Sequence, residues 1–270
     1  MINFPNCKIN LGLHILRKRE DGFHDLESCF YPIALQDALE IIQAEGKSGI
    51  QFSSSGNVID VNTEQNICVK AYRLLQKDFD LPSIKMQLHK TIPTGAGLGG
   101  GSADGAFALL LLNKKFSLNI SDQQLMDYAL QLGSDCPFFI KNKPCIGTSR
   151  GEVLKEIDLD LSTYSFVLIN PRIHINTGWA FSQIKPSANR QSIETFIALP
   201  IDQWKAGLLN DFEEAIFKQY PEIATIKTEL YNKGAVYASM SGSGSTVYGV
   251  FEKDKQLDFS FPPHYFVKQI

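Results

Sequence analysis

Between Gly95 and Gly101 the chain carries five glycines, broken only by Ala96 and Leu98, and Ser102 follows at once. A backbone so bare of side chains can approach a ligand closely and aim several N–H groups at one anion. The apolar stretch Ala103 to Asn113 reads as a buried helix beginning at Ser102 or Ala103. The positive end of that helix adds to the same attraction. The chemistry on offer is phosphate binding by main chain. A flexible linker is the competing reading, but five glycines are costly to order and here they abut a strongly apolar helix.

Three phosphate motifs can be weighed. A Walker loop needs a lysine immediately before Ser102, and Gly101 stands there. Gly95-x-Gly97-x-x-Gly100 matches the dinucleotide fingerprint in spacing but not in context. The preceding Ile84-Lys85-Met86-Gln87-Leu88-His89 alternates apolar and polar residues, whereas a dinucleotide fold needs a strand buried on both faces. The acid expected about 20 residues on should end a strand; Asp122 instead lies in a helix cap. No H-R-D catalytic loop of the protein-kinase type is present.

The elements that must position this loop follow from hydrophobic period and turn chemistry. Residues 7–60 are expected to be β-rich, with turns at Glu20-Asp21-Gly22 and Gly46-Lys47-Ser48-Gly49. A helix follows Thr63 as N-cap, with Ile67, Ala71, Leu74 and Leu75 on one face. Ile84 to His89 is a half-buried strand that Pro93 stops. Ser121 and Gln124 form a capping box for a helix closed by Gly133. Beyond Leu161, Phe166 to Ile169 is a buried strand and Thr177 to Ile184 a short helix. Ser187 to Ser192 is a surface loop, and Asp202 to Lys218 and Pro221 to Asn232 are two helices. Val236 to Met240 and Thr246 to Phe251 are strands flanking Ser241-Gly242-Ser243-Gly244. Strands and helices do not alternate regularly, so an α+β fold in two domains is favoured, 1–158 and 159–270.

Composition narrows the class further. Hydrophobic content of 44%, charged content of 20% and a net charge of −3 belong to an ordinary soluble globular protein with no basic field for nucleic acid or anionic lipid. Ala106 to Leu112, the longest apolar run, is too short to span a bilayer. The first residues show no charged segment followed by an apolar stretch. The five cysteines, Cys7, Cys29, Cys68, Cys136 and Cys145, are scattered without a C-x-x-C pair. Reduced thiols in a cytoplasm fit best.

Pro93-x-Gly95-x-Gly97-Leu98-Gly99-Gly100-Gly101-Ser102-x-Asp104 closely resembles the second motif of the GHMP kinases. Cys7-Lys8-Ile9-Asn10-Leu11, Arg19-Glu20-Asp21-Gly22-Phe23-His24, Leu132-Gly133-Ser134-Asp135-Cys136-Pro137-Phe138-Phe139 and Met240-Ser241-Gly242-Ser243-Gly244-Ser245 resemble further motifs. They are those of the branch that phosphorylates 4-diphosphocytidyl-2-C-methyl-D-erythritol in the non-mevalonate route to isoprenoid precursors. The resemblance runs from about residue 7 to residue 251. Phe23 replaces a usual tyrosine, Cys7 a usual alanine, and Ala103 and Gly105 stand where serine and alanine are common.

That resemblance implies an N-terminal S5-domain-2-like α/β domain, a C-terminal ferredoxin-like α+β domain, and ATP with Mg²⁺. It implies Asp135 as the base for the acceptor hydroxyl, and Lys8 as the cation that keeps it ionised and stabilises charge on the attacking oxygen. Read without the family, Asp135 could equally cap a turn containing Pro137, and Lys8 could be a solvated strand lysine. The nucleotide contacts implied are Pro93, Thr94, Gly95, Ala96, Gly97, Leu98, Gly99, Gly100, Gly101, Ser102 and Ala103, with Asn66 and Lys90. Asn66 could also be a first-turn residue of its helix. The acceptor contacts implied are Asn10, Phe23, His24, Thr177 and Phe181, with Phe23 and Phe181 on opposite faces of the cytosine; Phe181 could alternatively be plain core. No carboxylate cage for the metal is visible, so Mg²⁺ would rely on phosphate and water, with Ser102 and Asp135 the nearest protein groups. Another GHMP kinase acting on mevalonate, homoserine or a sugar, or a nucleotide-binding module without catalysis, is the alternative.

Overall fold

In the computed structural model, which describes residues 1–46, 49–57, 62–253, 255 and 257–270, Ile84–Lys90 is a strand alternating buried and exposed side chains from end to end. The chain divides into two compact units. The first is Met1–Cys7, Pro32–Thr94 and Gly99–Lys143; the second is Lys8–Tyr31, Gly95–Leu98 and Pro144–Ile270. The single cut expected near residue 158 thus meets an interleaved partition. The cause is pairing: Cys145–Ser149 lies antiparallel to His24–Gln36, with Leu26 opposite Ser149 and Phe30 opposite Cys145. Those ladder bonds commit the segment after Lys143 to the N-terminal hairpin.

In the first unit a sheet runs in the order Ile2–Asn3, Ala38–Gln43, Ile84–Lys90, Ile50–Gly56. Its last pair is parallel and the others antiparallel. The helices Ile67–Leu75 and Gly100–Phe116 pack on each other. The second of these buries Ala103, Ala106, Phe107, Ala108, Leu109, Leu111 and Leu112 on all sides, as an all-round apolar helix must. The capping box of Ser121 and Gln124 forms, and Gly133 ends that helix. The helix expected after Thr63 begins later. Thr63–Gln65 is a 3-10 turn capped by Asn62, and Asn66 caps the α-helix because its side-chain oxygen accepts the Cys68 N–H.

In the second unit one sheet runs Asn6–Lys18, His24–Gln36, Cys145–Ser149, Val153–Glu156. The other runs Tyr237–Met240, Val247–Glu252, Tyr164–Asn170, Phe266–Gln269, all antiparallel. Its core joins Val167, Ile169, Phe212, Ile216, Ile223, Ile226, Leu230, Met240, Val247 and Phe251. The helix Pro221–Asn232 stands where expected. The single helix expected over Asp202 to Lys218 is instead a 3-10 turn, Ile201–Ala206, and a helix, Glu213–Gln219. The segment between them lies along a strand: Leu13 N–H donates to Leu209 O at 2.8 Å and Asp211 N–H to Leu13 O at 2.9 Å. Backbone groups spent on that pairing cannot also close helical turns. Of the turn expected at 46–49, residues 47 and 48 lie outside the described residues.

Candidate active site

The helix Gly100–Phe116 starts two to three residues earlier than expected, so Gly100, Gly101 and Ser102 form its first turn. Its N-cap is Gly99, which supplies no side-chain cap, and the first-turn donors that a cap would otherwise take suit an anion. Gly95, Gly97 and Gly99 have φ of 64°, 77° and 69°, the left-handed region in which a side chain is strained. Within the second unit three successive loop carbonyls are held by protein donors. Ala96 O accepts Thr246 N–H at 3.2 Å and Leu98 O accepts Lys8 N–H at 3.0 Å; Gly97 O accepts the Ser241 hydroxyl at 2.8 Å. In a trans peptide the N–H points opposite to the C=O of the same plane. Fixing those carbonyls therefore aims the N–H groups of Gly97, Leu98 and Gly99 the other way, which is the arrangement a phosphate cradle requires.

Within the first unit, Lys90 is 5% exposed and bonded to two carboxylates, Asp37 Oδ2 and, at 2.6 Å, Asp104 Oδ2. Asp37 Oδ1 accepts the N–H groups of Thr91 and Ile92 at 2.6 and 2.9 Å. The triad ties the end of the strand before the loop to the helix after it. The ammonium expected to meet nucleotide balances buried carboxylates with two of its three donors. Two carboxylates share one cation, and Asp104 Oδ1 is buried without a hydrogen-bond partner. Burial above all, opposed by Lys90 and reinforced by Asp37, pushes the Asp104 carboxyl up to about 7. A folded-state value above the unfolded one, roughly 3.9, makes this group's contribution to stability full below about pH 4 and lost as pH rises to about 7. The melting temperature of wild type relative to Asp104→Asn is therefore expected to fall across that interval; parallel melting curves from acid to neutral pH would contradict it.

Also in the first unit, Asp135 occupies the N-cap position of the helix Cys136–Lys141, yet its carboxylate makes no cap hydrogen bond. The capping role open to it from sequence is thus not what the fold uses. Next to it Cys136 is buried, and its thiol, hydrogen-bonded with Ser102, is pushed up to about 12 by burial. Asn66 spends its side-chain oxygen on its own helix.

Within the second unit Lys8 is 4% exposed, and its ammonium donates to Asn10 Oδ1 at 2.6 Å and lies 4.9 Å from the Phe30 ring centroid. It is a buried lysine, not the solvated one that sequence left open. Asn10 is buried, and its Nδ2 donates to Ser28 Oγ at 2.7 Å. The turn ahead of Phe23 is held by Arg19, which donates to both Asp21 oxygens, at 3.0 and 3.1 Å, and at 3.0 Å to Asp25. Arg19 holds the Asp21 carboxyl below the usual range. Phe23 is 53% exposed, and the Arg150 guanidinium lies 5.0 Å from its ring centroid. The rings of His24 and Phe181 stack at 4.8 Å and 18°, and Phe181 meets Phe212 edge-on. Phe181 thus has a protein ring against one face where a cytosine was expected. Burial first, and then the Lys18 charge, lower the His24 pKa and favour a neutral ring. Thr177 starts the helix Thr177–Ser182, capped by Asn176, and shares a hydrogen bond of 3.2 Å with Ser243.

The sequence assigned no role to Ser28, Asp37, Arg150 or Asn210, nor to Asp104 beyond its place at the end of the glycine motif. Asn210 Nδ2 donates to Met240 O at 2.7 Å and Gly242 O at 2.9 Å, fixing the serine–glycine loop. Only Asp104 carried a signal, an acid in the first turns of an otherwise apolar helix; the others become visible once distant strands pair. Among the described residues no group of three or more His, Cys, Asp or Glu is placed to hold a metal ion, and no helix is long and apolar enough to cross a membrane.

Comparison with known proteins agrees with this geometry. The family model for the GHMP kinases N terminal domain matches residues 66–143, and that for GHMP kinases C terminal matches residues 194–259. The chain is similar to the 4-diphosphocytidyl-2-C-methyl-D-erythritol kinase of Bacteroides fragilis, 52% identical over 96% of each chain. It is 50% identical to the same enzyme of Azobacteroides pseudotrichonymphae, over 99% of this chain and 100% of that one. A crystal structure of 4-(cytidine 5'-diphospho)-2C-methyl-D-erythritol kinase, 28% identical, superposes with a TM-score of 0.79 over 93% of this chain and 90% of the other. Methanococcus jannaschii mevalonate kinase, 12% identical, shares the fold with a TM-score of 0.69 over 94% of this chain and 92% of the other. Loop, helix start, flanking motifs and relatives agree, and the chain belongs to the GHMP kinases, a family of ATP-dependent kinases of small molecules.

Proposed function

We propose that the chain transfers the γ-phosphoryl of ATP to the 2-hydroxyl of 4-diphosphocytidyl-2-C-methyl-D-erythritol, releasing ADP. The single observation that supports this acceptor most is identity of about half the residues, over nearly the full length, with relatives that carry that substrate in their names. The donor half is supported by the glycine loop, whose carbonyls at Ala96, Gly97 and Leu98 are taken by protein donors, so that the N–H of each of those peptides points away from its donor.

Phosphoryl transfer calls for positioning, charge neutralisation and a destination for the hydroxyl proton. Asp135 is the base that receives the proton; it stands at the start of the helix Cys136–Lys141 without capping it. Lys8 stabilises negative charge at the attacking oxygen. Pro93 to Ala103 hold the phosphates. A neutral His24 can both donate to and accept from the edge of a cytosine. Phe23 offers an exposed ring face for stacking, on the order of 1–3 kcal/mol. Thr177 lines the same region. Ser102 and Asp135 would offer Mg²⁺ the hard oxygen donors that it prefers. When bound, that ion neutralises charge on the β- and γ-phosphates. We place the enzyme in the cytoplasm, a reading supported by five buried cysteines that form no disulfide.

A coupled assay of ADP release tests the acceptor. Turnover with the cytidyl substrate and none above background with mevalonate, homoserine or galactose is expected; preferential turnover of any of those three would overturn the assignment.

A further inference from the structure

A buried chain of hydrogen bonds leads from Lys8 to a serine that no role has yet reached. Lys8 Nζ donates to Asn10 Oδ1 at 2.6 Å, Asn10 Nδ2 donates to Ser28 Oγ at 2.7 Å, and Ser28 Oγ donates to Gly12 O at 2.7 Å. Lys8, Asn10 and Ser28 are 4%, 1% and 0% exposed, so water does not compete for these bonds. An ammonium can only donate and a backbone carbonyl can only accept. Between those two ends the chain has one possible sense. Asn10 must turn its oxygen to Lys8 and its NH₂ to Ser28, and the hydroxyl must accept from Asn10 and donate to Gly12.

The backbone of Asn10 is pinned as well: its N–H donates to Ser241 Oγ at 3.3 Å, and its carbonyl accepts from the Tyr248 hydroxyl at 2.8 Å. What remains adjustable is the rotation of the carboxamide: Ser28 takes its NH₂ at 2.7 Å, while besides Lys8 its oxygen has only a long 3.5 Å contact from the Ser241 hydroxyl, which donates at 2.8 Å to Gly97 O. With the hydroxyl gone, Asn10 Nδ2 and Gly12 O lose their partner in a site closed to water. A flipped carboxamide would then present NH₂ to an ammonium.

We propose that Ser28 is a positioning residue for phosphoryl transfer, fixing the Asn10 carboxamide so that it holds the Lys8 ammonium in place. The inference rests on the reading of Lys8 as the cation at the reacting oxygen. Displacement of a reacting group by about 1 Å can cost about 10²-fold in rate. Ser28→Ala is therefore expected to lower kcat by about 10–100-fold with KM for ATP changed by less than about twofold. Ser28→Cys, which keeps the volume and weakens both hydrogen bonds, lowers kcat in the same direction without loss of folded structure by circular dichroism. Ser28→Thr, which keeps the hydroxyl, restores most of kcat.

A double-mutant cycle with Asn10→Ala supplies the decisive readout. Once Asn10 is removed, Ser28→Ala has no carboxamide left to orient, so the two effects on kcat do not multiply. Multiplying effects, or full kcat in folded Ser28→Ala and Ser28→Cys while Lys8→Met is inactive, would overturn the role of Ser28 alone. Full turnover by Lys8→Met would instead remove the reading of Lys8 on which it rests.

Discussion

Asp135→Asn is expected to lower kcat by about 10²–10⁴-fold, the range over which a positioned general base contributes, while KM for ATP stays within about twofold. Asparagine is nearly isosteric with aspartate but cannot take up the hydroxyl proton. Because the Asp135 carboxylate makes no cap hydrogen bond to the helix Cys136–Lys141, the substitution removes no bond that starts that helix. Pro137 in its first turn pre-sets the backbone there, and the following Phe138, Phe139 and Ile140 are buried whichever residue precedes them. A loss of kcat with unchanged melting temperature thus separates chemistry from folding. Measured kcat within about threefold of wild type would remove Asp135 as the base.

The second large effect distinguishes two glycines of the same loop. At Gly97 φ is +77°, and a Cβ would stand 2.0 Å from Ser241 O, a backbone atom that cannot rotate aside. A left-handed conformation costs a residue with a side chain about 1–2 kcal/mol before any clash. Gly97→Ala must therefore push the loop from the serine–glycine segment, break the bond between Gly97 O and Ser241 Oγ, and swing away the N–H groups that the held carbonyls aim. At Gly101, by contrast, a Cβ would meet no atom within 4 Å, and the residue lies in the first turn of the helix Gly100–Phe116. Gly101→Ala is expected to fold with no loss of melting temperature, since alanine favours helix over glycine by up to about 1 kcal/mol. If the bare backbone there faces phosphate, the added methyl raises KM for ATP by about tenfold or more. Gly97→Ala is expected to lose both melting temperature and ATP affinity. Equal behaviour of the two variants would contradict a loop whose glycines serve different ends, one to pass a neighbouring backbone and one to admit a ligand.

Much of this was legible in the sequence wherever a local rule decides. The alternation of Ile84 to His89, the capping box at Ser121 and the stop at Gly133 each depend on a few adjacent residues, and each stands as expected. The tightness of the glycine loop was legible for the same reason. What was not legible depends on partners far along the chain. The apolar spacing over Asp202 to Lys218 suits a helix, but the strand residue Leu13 claims the backbone of Leu209 and Asp211. Lys90 looks like a cation poised before a phosphate loop until Asp37, from a strand junction more than fifty residues earlier, is brought against it. The motif Lys8-Ile9-Asn10 indicated that both polar residues matter; that one holds the other becomes apparent only with Ser28 opposite. Two further segments, Val153–Glu156 and Phe266–Gln269, are short strands that carry no sequence signal of their own and are recruited by the ladders beside them.

The most direct test of the proposed reaction is the proton-coupled ³¹P spectrum of the product formed from ATP and 4-diphosphocytidyl-2-C-methyl-D-erythritol. The carbon bearing the 2-hydroxyl also bears the methyl group and carries no hydrogen. Transfer to that oxygen gives a phosphomonoester singlet, with ADP formed in equal amount. A doublet would place the phosphate on the neighbouring secondary hydroxyl and a triplet on the primary one. Either splitting, or ADP formation without a new phosphomonoester, would contradict phosphoryl transfer to the 2-hydroxyl.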